Sequence, residues 1–354
     1  MPKHQAVNIT CIAREAGLSI ASVSRAMNGR NGVSEEVRKR VNELLKKHNY
    51  VACNHLIREK RIAILQSSDC FGGYLTELYH GFTETAEEFG IDFCSVIHSA
   101  SGKRTLLEEI RELQCSGVIV LLPFQFQNEF PALANSELKV MLVDSYPTGE
   151  EGKFGFVNHD AYSGSLAAVK HLIELGHRNI GYVRHPLRTA NHQERFQAWQ
   201  DGLAEIGIVP PPSWVIEPGD ACTEVRRKTV SLLERHPELT ALMVTSDEEI
   251  PGVFRAAWET GRKIPDDLSV VGFDDLPQCS CFVPALTTVH HPIREIASLA
   301  IRELSLCLKD SDRPLPKSIF PCPLIVREST GRPSVTTAQI YTPVSYTHLR
   351  AHET

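Results

Sequence analysis

The sequence predicts an all-α head of three helices joined to an α/β body made of two similar units. Three observations carry this expectation. Lys and Arg are concentrated in residues 1–61, twelve against five Asp and Glu, which leaves a net charge of +7 there and −13 on the rest of the chain. Within that basic segment, apolar residues recur every three or four positions between capping residues, the period of short amphipathic helices. From Ile62 onward, short apolar runs alternate with helical stretches, the pattern of parallel strands covered by helices. With 354 residues and 42% hydrophobic content, the chain has apolar surface for more than one domain.

In the head, Asn8 is placed to cap a helix whose residues Ile9, Ile12, Ala13 and Ala16 share one face, and Gly17 supplies the positive-φ stop. Ser19 caps a second helix with Ile20, Val23 and Met27 at helical spacing, ended by Asn28-Gly29. Two short helices joined by a Gly-containing turn make a helix-turn-helix. Ser34 caps a third, with Glu35 and Glu36 in its first turn, Val37, Val41, Leu44 and Leu45 on one face, and Lys46-Lys47 at its end. In such a unit the second helix enters the major groove of DNA with its N-terminal residues at the base edges. Ile20 and Ala21 can there touch thymine methyls, Arg25 can make a bidentate contact to guanine, and Ser22 and Ser24 offer short hydroxyls to phosphates. Ser19 and Asn28 complete the candidate DNA-facing set. Taken alone, the pattern leaves Arg25 open between a base contact and a solvated helix arginine.

In the body, "IAIL" reads as a strand, followed by a helix over 75–89, "IDFCSVI", a helix over 104–114, "GVIVLL" and "KVMLVD". The alternation recurs after Phe156: helix 162–175, "NIGYV", helices 195–206 and 225–236, "ALMV", helix 253–260 and "LSVVGF". Pro292 opens a further helix over 292–308 that should return to the first unit. Ligands of such sheets bind outside the carboxyl ends of the strands, which for two facing units means the cleft between them. Tyr74, Asp160, Ser246-Asp247 and Asp274-Asp275 fall at those ends, and with Arg195 they can form a polar pocket for a hydroxyl-rich ligand. Asp160 and Asp247 read equally well as helix N-caps. Gly72-Gly73 reads as a turn, because no lysine follows at the spacing of a phosphate-binding loop.

The ten cysteines are scattered, and the closest pair, Cys279 and Cys281, is one residue short of Cys-x-x-Cys, so buried free thiols are expected. His290-His291 has no third ligand at a metal-binding spacing, and no nucleophile with a base or cofactor fingerprint occurs; no metal, cofactor or enzymatic activity is expected. No apolar run is long enough to span a bilayer, and the N-terminus lacks the apolar core of a secretory signal, so a cytoplasmic protein without membrane contact is expected.

"ITCIAREAGLSIASVSRAMNGRNGVSEEVRKRVNELLKKHNY" closely resembles the DNA-binding head of the LacI/GalR (lac-repressor) family, matching it at Ala13, Ala16, Gly17, Ser19, Val23, Ser24, Arg25, Asn28, Val33, Ser34, Glu35 and Tyr50. The resemblance implies that Ile20 and Ala21 choose the operator sequence and that Arg25 is the shared base contact. "HLIELGHRNIGYV", "ERFQAWQDGLAEIGI", "LSVVGFDDLPQC", "PALTTVHHPIREIASLAIREL" and "PLIVREST" resemble the family's effector-binding body, two Rossmann-like subdomains of the type I periplasmic-binding-protein kind. It implies that Tyr74, Asp160, Arg195 and Asp274, with Asp247 beside them, contact a small-molecule effector, a sugar or related metabolite. Ser246 stands where the family has asparagine, and Ala221 where an aromatic residue often lines the pocket.

The hinge departs further from the family. "YVACNHLIREKRIAIL" has Ala52 in place of proline, Asn54 one residue late, and Glu59 or Lys60 where an apolar residue wedges into the minor groove. A wedge must be apolar to replace base stacking. Asn54, Leu56 and Arg58 are the hinge candidates, Leu56 the substitute wedge, and weaker or less bent operator binding is expected.

The resulting organisation is a head over 1–50, a shortened hinge over 51–61 and an effector-binding body over 62–333. Its first subdomain covers about 62–159 and 290–320, its second about 160–289 and 321–333. A disordered tail over 334–354 follows, and its last dozen residues look like vector read-through. The expected function is a ligand-responsive repressor that binds a palindromic operator as a homodimer. A solute-binding protein of the same body fold is the alternative, disfavoured by the basic head and the missing export signal.

Overall fold

The computed structural model describes residues 9–27, 32–47, 61–67, 72–98, 104–121, 126, 128–147, 154–184, 189–219 and 221–334. Asn28, the hinge candidates Asn54, Leu56 and Arg58, and the tail over 335–354 lie outside the described residues, as does the side chain of Ser24. The chain divides into two compact units, Met1–Arg61 and Ile62–Thr354.

The first unit is built from α1 (Ile9–Ala16), α2 (Ile20–Met27) and α3 (Glu35–Lys47). Gly17 leaves α1 with φ +68°, and the amides of Gly17 and Leu18 return to the carbonyls of Arg14 and Ala13, which satisfies the open end of the helix. Ser19 and Ser34 accept from the backbone N–H of Ser22 (3.1 Å) and Val37 (3.3 Å), so both caps act as the sequence implies. Ile12, Ala13, Val23, Ala26 and Val41 form the core, closed by Leu18, Val33, Val37, Leu44 and Leu45.

The second unit contains two six-stranded sheets. The first lobe begins with β1 (Arg61–Ser67), α4 (Gly73–Phe89), β2 (Phe93–His98), α5 (Leu106–Glu112), β3 (Cys115–Leu121), α6 (Phe130–Ala134), β4 (Lys139–Val143) and β5 (Gly155–His159). The second lobe follows with α7 (Ala161–Leu175), β6 (Ile180–Val183), α8 (Ala190–Glu205), β7 (Val215–Ile216), α9 (Cys222–Arg235), β8 (Ala241–Val244), α10 (Ile250–Glu259), β9 (Ser269–Asp274) and β10 (Thr287–His290). The chain then returns to the first lobe through α11 (Ile293–Lys309) and β11 (Lys317–Phe320), and to the second with β12 (Leu324–Ile325).

The strand orders are β11-β5-β4-β3-β1-β2 and β12-β10-β9-β8-β6-β7. Both place the first strand of the lobe between the second and third, the doubly wound order whose switch point faces the carboxyl ends of the strands. β12 is antiparallel to β10 at the edge of the second sheet. Strands buried on both faces read as continuous apolar runs, and β3, β4 and β8 are buried almost throughout.

Some elements differ from the expectation. α8 begins at Ala190, five residues before the expected 195, because Thr189 caps it through the N–H of His192 (3.2 Å). The expected buried thiols hold for Cys115, Cys279, Cys307 and Cys322. Cys222 and Cys281 are exposed, one opening α9 and the other closing a short 3₁₀ turn, and Cys94 is half-buried.

α4 and α11 pack face to face over the first sheet, burying Leu78 and Phe82 against Ile296, Ala297, Ala300 and Ile301. Gly81 allows the close approach: a Cβ there would lie 2.5 Å from the carbonyl oxygen of Arg294 and 2.9 Å from Ala297 Cβ. Gly81→Ala is therefore expected to destabilise the body by about 1–3 kcal/mol through overpacking, despite the better helix propensity of alanine. Urea unfolding followed by circular dichroism reads this, and a neutral or stabilising change would refute the close contact.

Candidate functional site

The outer face of α2 is the first candidate. Val23 and Ala26 turn into the head core, whereas Ile20, Ala21 and Arg25 are exposed, Ile20 by 49%. At about 100° per residue these three span an arc of about 140° opposite the core, a single contact face. Ser19 and Ser22 sit at its N-terminal edge with their hydroxyls 2.9 Å apart. An exposed isoleucine beside an arginine at a helix start fits apolar contact with a base methyl next to a charged hydrogen bond.

The second candidate lies where the carboxyl ends of the two sheets converge. Asp144 follows β4, His159 ends β5, Asp274 ends β9 and His291 follows β10. All four side chains are buried. Asp144 and Asp274 have φ of +52° and +122°, values an L-residue adopts only under constraint and that cluster at functional sites.

Asp144 is the hub. Its Oδ2 accepts from Tyr74 Oη of α4 at 2.5 Å, and its Oδ1 lies 2.9 Å from His159 Nδ1 and 3.1 Å from His291 Nε2. The other nitrogen of His291 faces Asp274 Oδ1 at 3.4 Å, while Ser246 Oγ donates to Asp274 Oδ2 at 2.9 Å. Arg195, from α8, donates to His159 Nε2 at 3.2 Å and to the carbonyl of Thr245 at 2.7 Å, and its guanidinium lies 3.7 Å from Asp274. That guanidinium also lies over the Phe273 ring, 3.5 Å from the centroid, a cation–π contact. Asn191 bonds Asp144 O and Asn158 Oδ1, tying α8 to the first lobe.

The ionisation states follow from these partners. Burial would raise the Asp144 carboxyl, but the charge of His291 and the bonds from both imidazoles hold it well below the usual range. Burial would lower His291, but Asp144 and Asp274 outweigh it and hold the imidazolium to about 9. Burial and the neighbouring His291 charge push His159 down to about 4, leaving it neutral. Its Nε2 accepts from Arg195, so its proton is on Nδ1 and is donated to Asp144.

Among the described residues, Asp144, His159 and His291 form a group whose donor atoms lie within 4.8 Å of one another, the reach of a single metal ion. The hydrogen-bond directions oppose an ion. A metal on His159 Nδ1 would move the ring proton to Nε2, against the N–H of Arg195. The cluster is held by protons shared between these side chains.

Of the residues singled out in sequence, Tyr74, Arg195, Ser246 and Asp274 meet in this cluster. Asp160 instead caps α7, accepting from the N–H of Ser163 at 2.9 Å. Asp247 is wholly buried, and its carboxylate accepts from Thr288 Oγ1 (2.9 Å), the Leu276 N–H (3.3 Å) and Cys279 Sγ (3.1 Å). Burial and the charge of Asp274 push its carboxyl up to about 7. These bonds make Asp247 an anchor beneath the loop after β9. Asp144, His159, His291 and Asn191 were missed, although Asp144 ends an apolar run as Asp274 does, and His291 follows one.

An outward-facing recognition helix on a basic head, with a two-lobed body whose strand ends share a polar cleft, defines a DNA-binding regulator with a ligand-binding domain. Residues 8–52 match the family described as bacterial regulatory proteins, lacI family, and residues 169–330 match the periplasmic binding protein-like domain. The head thus carries the lacI-family DNA-binding domain and the body the periplasmic binding protein-like domain, the pairing found in LacI-family repressors, to which the chain is similar over most of its length. It is 26% identical to the ribose operon repressor of Halalkalibacterium halodurans, covering 90% of this chain and 96% of that protein. It is 28% identical to the transcriptional regulator AscG of Escherichia coli, covering 91% and 98%. Among solved structures, the lac repressor dimer bound to operator and the anti-inducer ONPF matches with a TM-score of 0.75 at 23% identity, over 92% of this chain and all of that one. A LacI family regulator from Enterococcus faecium with bound ribose matches with a TM-score of 0.68 at 22% identity, over 78% of this chain and all of that one. No helix among the described residues is long and apolar enough to cross a membrane.

Asp247→Ala should cost about 2–4 kcal/mol, because it leaves buried donors on Thr288 and Leu276 unpaired. Thermal unfolding reads the loss. A fully stable variant with selectively lost ligand binding would instead return Asp247 to the cleft.

Proposed function

We propose that the protein is a cytoplasmic, non-catalytic repressor that binds a palindromic operator as a homodimer through α2 and takes a small hydroxyl-rich metabolite, a sugar or a close relative, between the lobes. The observation that carries the DNA half is the exposed Ile20–Ala21–Arg25 face on a unit of net charge +7. A C2 dimer presents two such faces to two half-sites, which is why the operator should be palindromic. The ligand half is supported by Arg195, whose buried Nε has no acceptor among the described residues and remains available to an incoming oxygen. The name of the Halalkalibacterium relative and the ribose held by the Enterococcus structure favour a sugar-like effector.

Arg25→Ala should lose about 1–3 kcal/mol on the specific operator and little on random DNA. Fluorescence anisotropy at several salt concentrations separates the two terms, since phosphate contacts alone set the salt slope. Equal losses on both DNAs would contradict a base contact.

A thermal-shift screen of pentoses, hexoses, disaccharides and nucleobases should yield a stabilising ligand whose effect disappears in Arg195→Met. At one hundred times its Kd, such a ligand adds about 2.7 kcal/mol. Its effect on operator affinity must equal the effect of operator on its own affinity. A ligand that still stabilises Arg195→Met to the same degree would place the binding site elsewhere.

A further inference from the structure

His291 is bound on both sides by carboxylates from different lobes. Asp144 belongs to the first sheet and Asp274 to the second, and the ring between them is 3% exposed. We propose that His291 is a proton-operated clasp across the cleft: protonated, it holds Asp144 and Asp274 together and keeps the lobes engaged, and losing the proton releases them.

The number of N–H groups dictates this behaviour. An imidazolium donates from both nitrogens, so it can satisfy both carboxylates at once, whereas a neutral imidazole has one donor and must leave one buried carboxylate facing a lone pair. The neighbours cannot take over. His159 from β5 uses its Nδ1–H on Asp144 and its Nε2 as an acceptor for Arg195. Tyr74 from α4 already serves the other oxygen of Asp144, and Ser246 the other oxygen of Asp274. Arg195 from α8 donates to Thr245 O and stands 3.7 Å from Asp274, too long to replace a hydrogen bond. Glu77 of α4, Asp275 of the loop after β9, His290 of β10 and Arg294 and Glu295 of α11 line a cavity of about 260 Å³ that His291 and Asp274 also border. Of these, Asp275 is bound to His290 and Arg327, and Glu77 to Arg294, so neither competes for His291.

The direction of the pH dependence follows from linkage. The engaged form holds the His291 proton up to about 9, above the ordinary histidine value. The clasp therefore contributes fully below about pH 6.5 and is lost as pH rises through about 9. If the cleft holds the effector, as proposed above, any effector that parts the lobes releases a proton near neutral pH and binds more tightly as pH rises toward 9. The clasp itself does not depend on that reading.

The test uses the full chain without effector. Melting temperature and small-angle scattering are recorded from pH 6 to 10 for the wild type and His291→Gln, whose amide can donate but does not titrate. Between pH 7 and 9.5 the wild type should lose several degrees and its scattering radius should rise, while His291→Gln should be flat over that interval. Parallel profiles for the two proteins overturn the proposal. If His291→Gln does not fold, imidazole-resolved NMR of the wild type decides: one buried histidine still protonated above pH 8 supports the clasp, and titration of every histidine below pH 7 refutes it. Failure of the effector screen with a positive clasp result would sink the ligand reading alone.

Discussion

Two carboxylates buried at the meeting point of two sheets constrain the rest of the body. An isolated ionised carboxylate in such a place would cost several kcal/mol, so Asp144 and Asp274 exist as anions only because donors from both lobes converge on them. His291 reaches both, and it sits where the chain leaves β10 for α11, at one of the crossings between lobes. The crossings, the positive φ of both aspartates and the burial of Arg195 all serve one arrangement. Parting the lobes must rehydrate these groups together, which makes intermediate separations unfavourable and favours two distinct states.

Asp247 shows how a buried carboxylate differs when its task is local. It is at least as buried as Asp274, but its donors come from Thr288, Leu276 and Cys279, all within the second lobe. Nothing about lobe separation changes its environment. Burial and the Asp274 charge raise its carboxyl, whereas the charge of His291, which enters from the crossing after β10, and the bond from His159 keep Asp144 low. The origin of the partners, more than the depth of burial, separates an anchor from a group that can respond to movement.

Much of the fold was legible because its signals are local. Ser19, Ser34 and Gly17 set helix ends through bonds spanning three to five residues, and the apolar runs of β3, β4 and β8 are buried as continuous runs should be. The short strands β7, β10, β11 and β12 carry too few residues to show a period, and they owe their strand state to neighbours already in the sheet. The cleft was half legible for the same reason. Tyr74, Arg195 and Asp274 lie at strand ends or matched a known pattern, whereas His291 appeared as half of a histidine pair without further ligands. Its partner Asp144 lies 147 residues away. Spacing rules find groups on one element, and this cluster is assembled from seven.

The uneven charge of the chain bears on how the two units share the work. A body of net charge −13 is repelled by DNA, so non-specific attraction is left to the head, whose +7 is enough to bring it to the phosphates but supplies few contacts. Two heads linked in one dimer bind more tightly than either alone, because the second contact forms at a high effective concentration that depends on their separation. Any change in the body that alters that separation then acts on operator affinity without touching a base. The size of such control is bounded by the difference in free energy that the ligand or proton makes between the two states of the body. A charged hydrogen-bonded clasp between buried carboxylates is one of the few interactions that can supply such a difference from a single side chain, because both its formation and its loss occur away from water.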